Sequence, residues 1–242
     1  MHEIVRRVGA AISILQLASC ASGPQTSATD SPTQTSVTAS SNSPTREWRS
    51  LFDGRTLTGW RVYRSQAQPS EWHARDGTLV KDGPTDDIVS VDQFGDFELE
   101  FEWRISSRGN AGVFYRATEE YEKLYWSATE YQLLDDASQR RDDRLTATGS
   151  AYALYPAAAG AAKPAGDWNS TRIVARGTHV EHWLNGARLL EYEYGSPDWE
   201  AKVKGSKFGD WPNYGRARRG HIGLQGDHGG QLALRNIRIR EL

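Results

Sequence analysis

A two-residue alternation of apolar and charged side chains marks the clearest element of this sequence. From Phe97 to Trp103 every second residue is apolar, and the residues between them are glutamates. This period is typical of a half-buried β-strand, with one face toward a core and the other toward water. The same reasoning predicts strands at 59–64, 77–81, 111–116, 129–134, 150–155, 170–176, 179–184, 187–193, 220–225 and 231–241.

Turn residues separate many of these segments. Asn185-Gly186 lies between two predicted strands, and this dipeptide favours the type I′ turn of a tight hairpin. Only the stretch 118–126 has a helical pattern, and no internal repeat is visible. About a dozen short strands without a long amphipathic helix predict an all-β fold, an antiparallel β-sandwich or jelly roll.

The amino-terminal segment predicts export and lipidation. Two arginines precede a short apolar stretch, and Leu17-Ala18-Ser19-Cys20 fits the lipobox that precedes a lipidated cysteine. The apolar stretch is shorter than the roughly 20 residues needed to span a bilayer. We therefore expect residues 1–19 to be a signal peptide and Cys20 to be a lipid anchor in a bacterial cell envelope, in the periplasm or at the outer membrane. An ordinary secretory signal or a buried helix are the alternatives.

A change of composition follows the predicted anchor. Residues 20–45 consist largely of Ser, Thr, Ala, Pro and Gln, with too little apolar surface to offset the entropy of ordering the chain. We expect a disordered linker that holds a single folded domain, residues 46–242, away from the membrane.

Composition then narrows the possible functions. Lys and Arg number 29 against 31 Asp and Glu, a net charge of −2, so no basic field is available for nucleic acid. The single cysteine excludes an intrachain disulfide and a multi-cysteine metal site. The chain has no Gly-x-Ser-x-Gly, His-Glu-x-x-His or Walker motif, so the common signatures of acyl transfer, zinc proteolysis and nucleotide hydrolysis are missing.

A series of short motifs, taken in order, resembles one family. They are Leu51–Gly54, Leu57–Trp60, Phe101–Ile105, Asn110–Arg116, Glu130–Asp136, Asp167–Asn169, Val180–Gly186, Gly223–Gln225, His228–Gly229 and Arg235–Ile237. This set resembles the 3-keto-disaccharide hydrolase family over nearly all of residues 50–242. The resemblance implies a concanavalin A-like jelly roll and an envelope enzyme that acts on glycosides oxidised at C3.

A ketone at C3 opens a route that ordinary glycosides lack. The proton on C2 is alpha to the carbonyl and therefore acidic, so a base can remove it. The enolate then expels the C1 substituent, and water adds to the unsaturated product for a net hydrolysis. Such a site needs a base near C2, a donor at the C3 oxygen and an acid for the leaving group.

Three residues are candidates for this chemistry. We expect Glu130 to lie on the concave face of the jelly roll, where desolvation raises the pKa of a carboxyl group. His228, in a glycine-rich segment, is a second candidate base, and Arg116 is a candidate cation for the enolate. Each candidate also has a structural alternative. Glu130 could lie on a solvated strand face, and His228 could be a loop histidine or a metal ligand paired with Asp135. Arg116 could form a buried ion pair with Glu102 or Glu130.

A further set of polar and aromatic residues is expected to bind the sugar. Gln132 shares a strand face with Glu130, and aromatic rings near turns suit the apolar faces of sugars. The loop 204–215 could cover a cleft. The acidic pairs 135–136 and 142–143 are candidate ligands for a divalent cation. Spacing alone does not define a full set of ligands, so the sequence neither predicts nor excludes a bound cation. The candidate substrate-binding residues are Gln132, Asp135, Gln225, Tyr152, Glu102, Trp60 and Trp211.

Two other functions fit the same sequence. A conventional glycosidase would pair Glu130 with Glu102 or Asp135 across the scissile bond. A non-catalytic, lectin-like module would use the aromatic residues on the same fold to bind a glycoside. All three hypotheses share an oligosaccharide or glycoside partner, and none of them sets the oligomeric state.

Overall fold

Thirteen β-strands and one α-helix make up the part of the chain that the structure, a computed structural model, describes: residues 47–138 and 143–242. The predicted signal peptide (1–19), Cys20 and the linker (20–45) lie outside these residues. No helix within them combines the length and the apolar character needed to cross a membrane.

Most strands are short and follow one another closely along the chain. The strands are β1 (Arg49–Ser50), β2 (Trp60–Val62), β3 (Trp72–Arg75), β4 (Thr78–Lys81), β5 (Ile88–Phe94), β6 (Phe97–Ile105), β7 (Asn110–Ala117), β8 (Thr129–Leu134), β9 (Asn169–Arg176), β10 (His179–Leu184), β11 (Ala187–Glu193), β12 (Gly220–Leu224) and β13 (Leu232–Glu241). The α-helix, α1, spans Pro197–Lys204, and single 3-10 turns occur at Leu124–Trp126 and Asp136–Ser138.

The strands form two antiparallel sheets. The larger sheet has the order β11-β10-β9-β6-β13-β4-β3, with β1 paired to β13, and the smaller has the order β2-β5-β12-β7-β8. Apolar side chains from both sheets belong to one buried core. The prediction of an all-β antiparallel sandwich is therefore confirmed.

Strand β6 shows how the sequence pattern builds this core. Its four alternating apolar residues, from Phe97 to Trp103, are all buried. The Phe101 ring meets the ring of Tyr131, from the smaller sheet, edge to face at 6.3 Å between centroids. The glutamates of β6 lie on the other face, where each forms an ion pair with an arginine. This face of the larger sheet is therefore a ladder of paired charges.

The hairpin between β10 and β11 has the predicted turn. Asn185 and Gly186 both have positive φ, 49° and 85°, as a type I′ turn requires. Elsewhere the local predictions are less accurate. The stretch 118–126 contains only the 3-10 turn, and residues 150–155 form isolated bridges and no strand.

The helix α1 was not predicted from the sequence, although its start signal is present. Ser196 caps it by accepting a hydrogen bond from the backbone N–H of Trp199, and Pro197 occupies the first turn. The helix has only eight residues, and just Trp199 and Val203 are buried. So short an amphipathic pattern is hard to separate from a loop.

Arg116 belongs to the frame of the sandwich, which corrects the expectation that it acts on a substrate. Its side chain is only 2% exposed. The guanidinium group donates to the carbonyl oxygens of Gly95 at 3.0 Å and Gly177 at 2.9 Å, and to the carboxylate of Asp96 at 3.0 Å. These acceptors lie in the turns β5–β6 and β9–β10, so Arg116 ties β7 of the smaller sheet to one end of the larger one.

We expect Arg116→Met to lower the free energy of unfolding by about 2 kcal/mol, because the buried guanidinium group and its three hydrogen bonds to partly exposed acceptors are lost. Urea denaturation measures this change. Arg176→Met, at an exposed arginine, is the matched control and should stay within about 0.5 kcal/mol of the wild type. Equal effects of the two substitutions would contradict a framework role for Arg116.

Candidate active site

A cleft of about 350 Å³ lies on the outer face of the smaller sheet. On strand β8, Tyr131 and Leu133 point into the core, so Glu130 and Gln132 point the other way. Both are nevertheless almost completely covered, with 6% and 2% of their surface exposed. Segments from elsewhere in the chain close over them. The cleft is lined by Asn110, Tyr125, Glu130, Gln132, Tyr152, Lys207, Gln225, Asp227 and His228.

The structure thus brings together five of the residues expected to act on a glycoside: Glu130, Gln132, Tyr152, Gln225 and His228. They come from β8, from the segment of isolated bridges at 150–155, and from the segment that follows β12. The prediction that Glu130 and Gln132 share one strand face with a site is consistent with this placement.

Gly112 makes room for the carboxyl group of Glu130. In the pairing of β7 with β8, Gly112 lies opposite Gln132. A Cβ atom at position 112 would collide with the Glu130 carboxyl group, so the side chain crosses β7 where only glycine leaves space. The carbonyl oxygen of Gly112 also accepts the backbone N–H of Gln225 at 2.9 Å. Three side chains of the cleft are therefore positioned around one glycine.

The pKa of Glu130 is raised to about 8 in this environment. Burial is the largest cause, because the charged form loses its hydration. The positive charge of Lys207 lowers the pKa, whereas the negative charges of Asp87 and Asp227 raise it further. Within residues 47–138 and 143–242, no side chain or backbone group donates a hydrogen bond to this carboxylate. The group is thus a desolvated, unusually basic carboxylate when it loses its proton.

A second carboxyl group nearby is also perturbed. Burial raises the pKa of Asp87 to about 6, although the backbone N–H of Gly226 donates to its carboxylate at 2.7 Å. Asp227 adds to the shift through its negative charge. Carboxylates that interact in this way resist being charged together, so protonation of one depends on the others.

A buried lysine binds the segment that carries Asp227 and His228. Lys81 is completely buried, and its Nζ donates to the carbonyl oxygen of His228 at 2.6 Å. Burial lowers the pKa of Lys81, while Asp227 and Asp87 oppose that shift. The imidazole of His228 is itself half-exposed and lies 3.9 Å from the carboxylate of Asp227. It is therefore accessible to solvent or to a ligand at the mouth of the cleft.

Lys207 is the lysine that lines the cleft, and no pattern in the sequence predicts its role. Its Nζ lies 4.3 Å from the ring centre of Tyr152 and 5.5 Å from that of Tyr125. No carboxylate of the described residues lies within ion-pair distance of it. Lys207 belongs to the loop 204–215, which was expected to cover a cleft, but the sequence does not distinguish it from Lys204 in the same segment.

Four of the predicted binding residues lie outside the cleft. Asp135 caps a turn by accepting the backbone N–H of Arg108 at 2.8 Å. Trp60 is buried in the core, and its indole nitrogen donates to the carbonyl oxygen of Leu51. These two expectations are corrected by the structure. In both cases the polar group already has a partner within the protein.

Glu102 and Trp211 are the other two. The carboxylate of Glu102 pairs with Arg235 at 2.7 Å on the outer face of the larger sheet, beside a cavity of about 620 Å³. That cavity is larger, but its carboxylates already have partners: Glu100 and Glu102 pair with arginines, and Asp53 accepts hydrogen bonds from Thr56 and from the backbone N–H of Arg55. The ring of Trp211 stacks on that of Trp126, with 4.1 Å between the ring centroids. Trp126 follows Tyr125 in the chain, and their rings also contact each other. Its aromatic face is close to the cleft without lining it.

The residues of the cleft do not form a compact metal cluster. Over the described part of the chain, only His179, Glu181 and Glu191 place three candidate ligand atoms within 4.8 Å of one another. Those residues are on β10 and β11 of the larger sheet, and they include neither His228 nor Asp135. A divalent cation at the cleft stays an open prediction.

The raised pKa of Glu130 makes the stability of the fold depend on pH. The folded protein keeps this proton up to about pH 8, whereas the unfolded chain releases it near pH 4.5, so the free energy of unfolding falls as pH rises between these values. We expect Glu130→Gln to remove this loss and to gain about 3 to 5 kcal/mol relative to the wild type between pH 5 and pH 9.

Chemical denaturation at a series of pH values measures the difference. Glu71→Gln, at an exposed glutamate, is the matched control and should follow the wild-type curve. If the advantage of Glu130→Gln does not grow with pH, the carboxyl group is not desolvated as described.

Comparisons with known proteins agree with this architecture. Over residues 47–240 the chain matches the family described as the 3-keto-alpha-glucoside-1,2-lyase-like domain. It is 35% identical to a 3-keto-disaccharide hydrolase from Bacteroides thetaiotaomicron, over 79% of this chain and 77% of that protein.

Two crystal structures from Parabacteroides distasonis, both of proposed glycosyl hydrolases, have a similar fold. One has a TM-score of 0.75 at 31% identity and covers 81% of this chain and 94% of its own. The other has a TM-score of 0.64 at 26% identity, over 81% and 100% of the two chains. The family match over nearly the whole described region, together with the 35% identity to a curated relative, places this chain in the family of 3-keto-alpha-glucoside-1,2-lyase-like domains.

Proposed function

We propose that this chain cleaves glycosides whose C3 carbon is oxidised to a ketone. The observation that carries the proposal is the carboxyl group of Glu130, buried in a cleft with a pKa raised to about 8. Membership of the family supports glycoside cleavage in general. The ketone and the elimination route are our proposal, because such a base suits a weakly acidic C–H proton better than an ordinary carboxylate does.

The first step removes the C2 proton. The Glu130 carboxylate accepts that proton, and the C–H electrons form an enolate whose negative charge lies on the C3 oxygen. Lys207 is the unpaired cation of the cleft and supplies a positive charge for this oxygen. In this role it replaces Arg116, whose guanidinium group is bound within the frame.

The second step expels the leaving group and the third restores the sugar. The enolate re-forms the C3 ketone, a double bond forms between C1 and C2, and the bond from C1 to the glycosidic oxygen breaks. The departing oxygen needs a proton, and His228 at the cleft mouth is the candidate acid. Water then adds across the double bond, with hydroxyl at C1 and hydrogen at C2, which completes a net hydrolysis.

A conventional two-carboxylate mechanism receives less support. The pairs weighed from the sequence join Glu130 to Glu102 or to Asp135, and neither partner lies in the cleft. Asp87 and Asp227 act on Glu130 through charge, but the first already accepts a backbone hydrogen bond. A purely lectin-like module would not need a desolvated carboxylate, which is costly to bury without a partner.

The cellular setting of the reaction is also a proposal. The lipobox ending at Cys20 supports an enzyme tethered by lipid to the bacterial envelope, with its substrate in the periplasm or outside the cell. Mass spectrometry of the mature protein tests this. A diacylated or triacylated amino terminus at Cys20 is expected, and an unmodified Cys20 would contradict the tether.

The reaction is tested with a 3-keto-disaccharide in D₂O, with NMR following the C2 hydrogen and the released sugar. The wild type should exchange the C2 hydrogen and release the free sugar. Glu130→Gln should lose both events by at least about 100-fold, because the amide cannot accept the proton. Ligand binding without exchange or cleavage in the wild type would leave a carbohydrate-binding module as the function.

The pH dependence of the same reaction provides a charge test. Since the base must be deprotonated, kcat/KM should rise with pH and level off above about pH 8. Lys207→Met should move the midpoint to higher pH, because the lysine lowers the pKa of Glu130. Asp227→Asn should move it to lower pH, because the aspartate raises that pKa.

Lys204→Met is the control for the first variant, since it removes an exposed lysine three residues away. Its midpoint should match the wild type. Shifts of the same sign for Lys207→Met and Asp227→Asn would show that Glu130 is not the group that titrates.

A further inference from the structure

Two amide side chains at the floor of the cleft have polar atoms that the proposed reaction does not use. The Oε1 atoms of Gln132 and Gln225 are fully buried, and neither has a hydrogen-bond partner in residues 47–138 and 143–242. The Nε2 of Gln132 donates to the side-chain oxygen of Asn110 at 2.9 Å, which leaves its own oxygen free. Buried acceptors are rarely left unpaired in native proteins. Both residues line the cleft, so a ligand can supply the missing donors.

The backbone fixes the positions of both amides. Gln132 lies within β8, where its N–H donates to the carbonyl oxygen of Ser150 and its own carbonyl accepts the N–H of Gly149. Gln225 directly follows β12 and is bound to Gly112 through its backbone N–H. Neither amide is on a free loop. The floor is therefore built from two residues whose backbones are fixed, and each contributes an unpaired amide oxygen.

We propose that Gln132 and Gln225 form an acceptor pair that binds two hydroxyl hydrogens of the sugar ring and so determines which edge of the ring enters the cleft. A ketone or a ring oxygen placed there would meet the oxygen of Gln132, whose nitrogen is already bound to Asn110. The oxidised carbon consequently faces Lys207 and His228, at the donor side of the cleft. This last placement rests on the proposed function, whereas the acceptor pair itself does not.

The acceptor pair has a consequence for specificity. A site that binds a hydroxyl group through buried partners discriminates strongly against a ligand that lacks it, because the partners are then left unpaired. The preferred ligand is a pyranose with a single ketone and intact hydroxyl groups on the opposite edge. Sugars that are deoxygenated or oxidised a second time on that edge are excluded.

The test uses 1,5-anhydro sugars with a ketone at C3, which have no glycosidic leaving group. Binding of the parent compound to the whole protein is measured by calorimetry and compared with its 2-, 4- and 6-deoxy and fluoro derivatives. At two of these positions, removal of the hydroxyl should weaken binding about tenfold or more, and fluorine should be no better than hydrogen, because it cannot donate. Equal affinities, or fluorine restoring the affinity, would overturn the proposal.

Variants assign each hydroxyl to its amide. Gln132→Leu and Gln225→Leu should weaken the parent compound about tenfold, and each should abolish the penalty at one hydroxyl position. Gln225→Glu keeps an acceptor and should keep that penalty, which guards against a Leu variant that disturbs the fold. Gln66→Leu, at an exposed glutamine outside the cleft, should bind like the wild type.

The outcome is separable from that of the cleavage test. Hydroxyl discrimination without cleavage of 3-keto-disaccharides would support the acceptor pair and reject the proposed reaction. Cleavage without hydroxyl discrimination would do the reverse. Failure of the parent compound to bind would overturn the acceptor pair.

Discussion

The cleft depends on the contact between the carboxyl group of Glu130 and the bare backbone of Gly112. A strand residue on the outer face of a sheet normally reaches water, and its carboxyl group then keeps an ordinary pKa. Here the side chain lies across the neighbouring strand, where any Cβ would displace it. Because glycine has no side chain, the carboxyl group of Glu130 lies close against the backbone of β7, and other segments can pack over it. Desolvation follows from that geometry.

The two sheets share one core but differ on their outer faces. The larger sheet uses its inner face for the core and neutralises its outer face with arginine–glutamate pairs, which leaves little free charge there. The smaller sheet contributes to the same core and presents polar residues on its outer face, covered by the loop that carries Lys207 and by the segment 225–230. A rigid sandwich thus holds reactive groups from distant parts of the chain at fixed positions.

The alternation of apolar and polar residues predicted the sandwich and the shared face of Glu130 and Gln132, because both depend on the local period of a strand. It failed at Arg116 for a physical reason. Arg116 has a positive φ of 54°, and β12 shifts register where it pairs with this part of β7, so the alternation is interrupted there. The two-residue period of β7 therefore does not predict where the side chain of Arg116 points.

Other residues of the cleft could not be found from local patterns. Lys207 lies at the cleft because its loop folds back over Tyr152. Asp87 is buried there because it binds Gly226, which is 139 positions away in the sequence. Lys81, at the end of the predicted strand 77–81, is buried and bound to His228, although lysine side chains are usually exposed. Such contacts are set by the tertiary fold and carry no period in the sequence.

The charges around the cleft come from strand β8 and from three segments between strands. Lys207 favours the charged form of Glu130, while Asp87, Asp227 and burial all oppose it, and burial is the largest of these influences. A ligand that excludes water would strengthen each of these interactions, since the local dielectric falls. The same ligand would bring donors to the amide oxygens that are unpaired in its absence. Binding therefore completes the hydrogen bonding of the floor and at the same time isolates the base, which couples recognition of the sugar to the reactivity of Glu130.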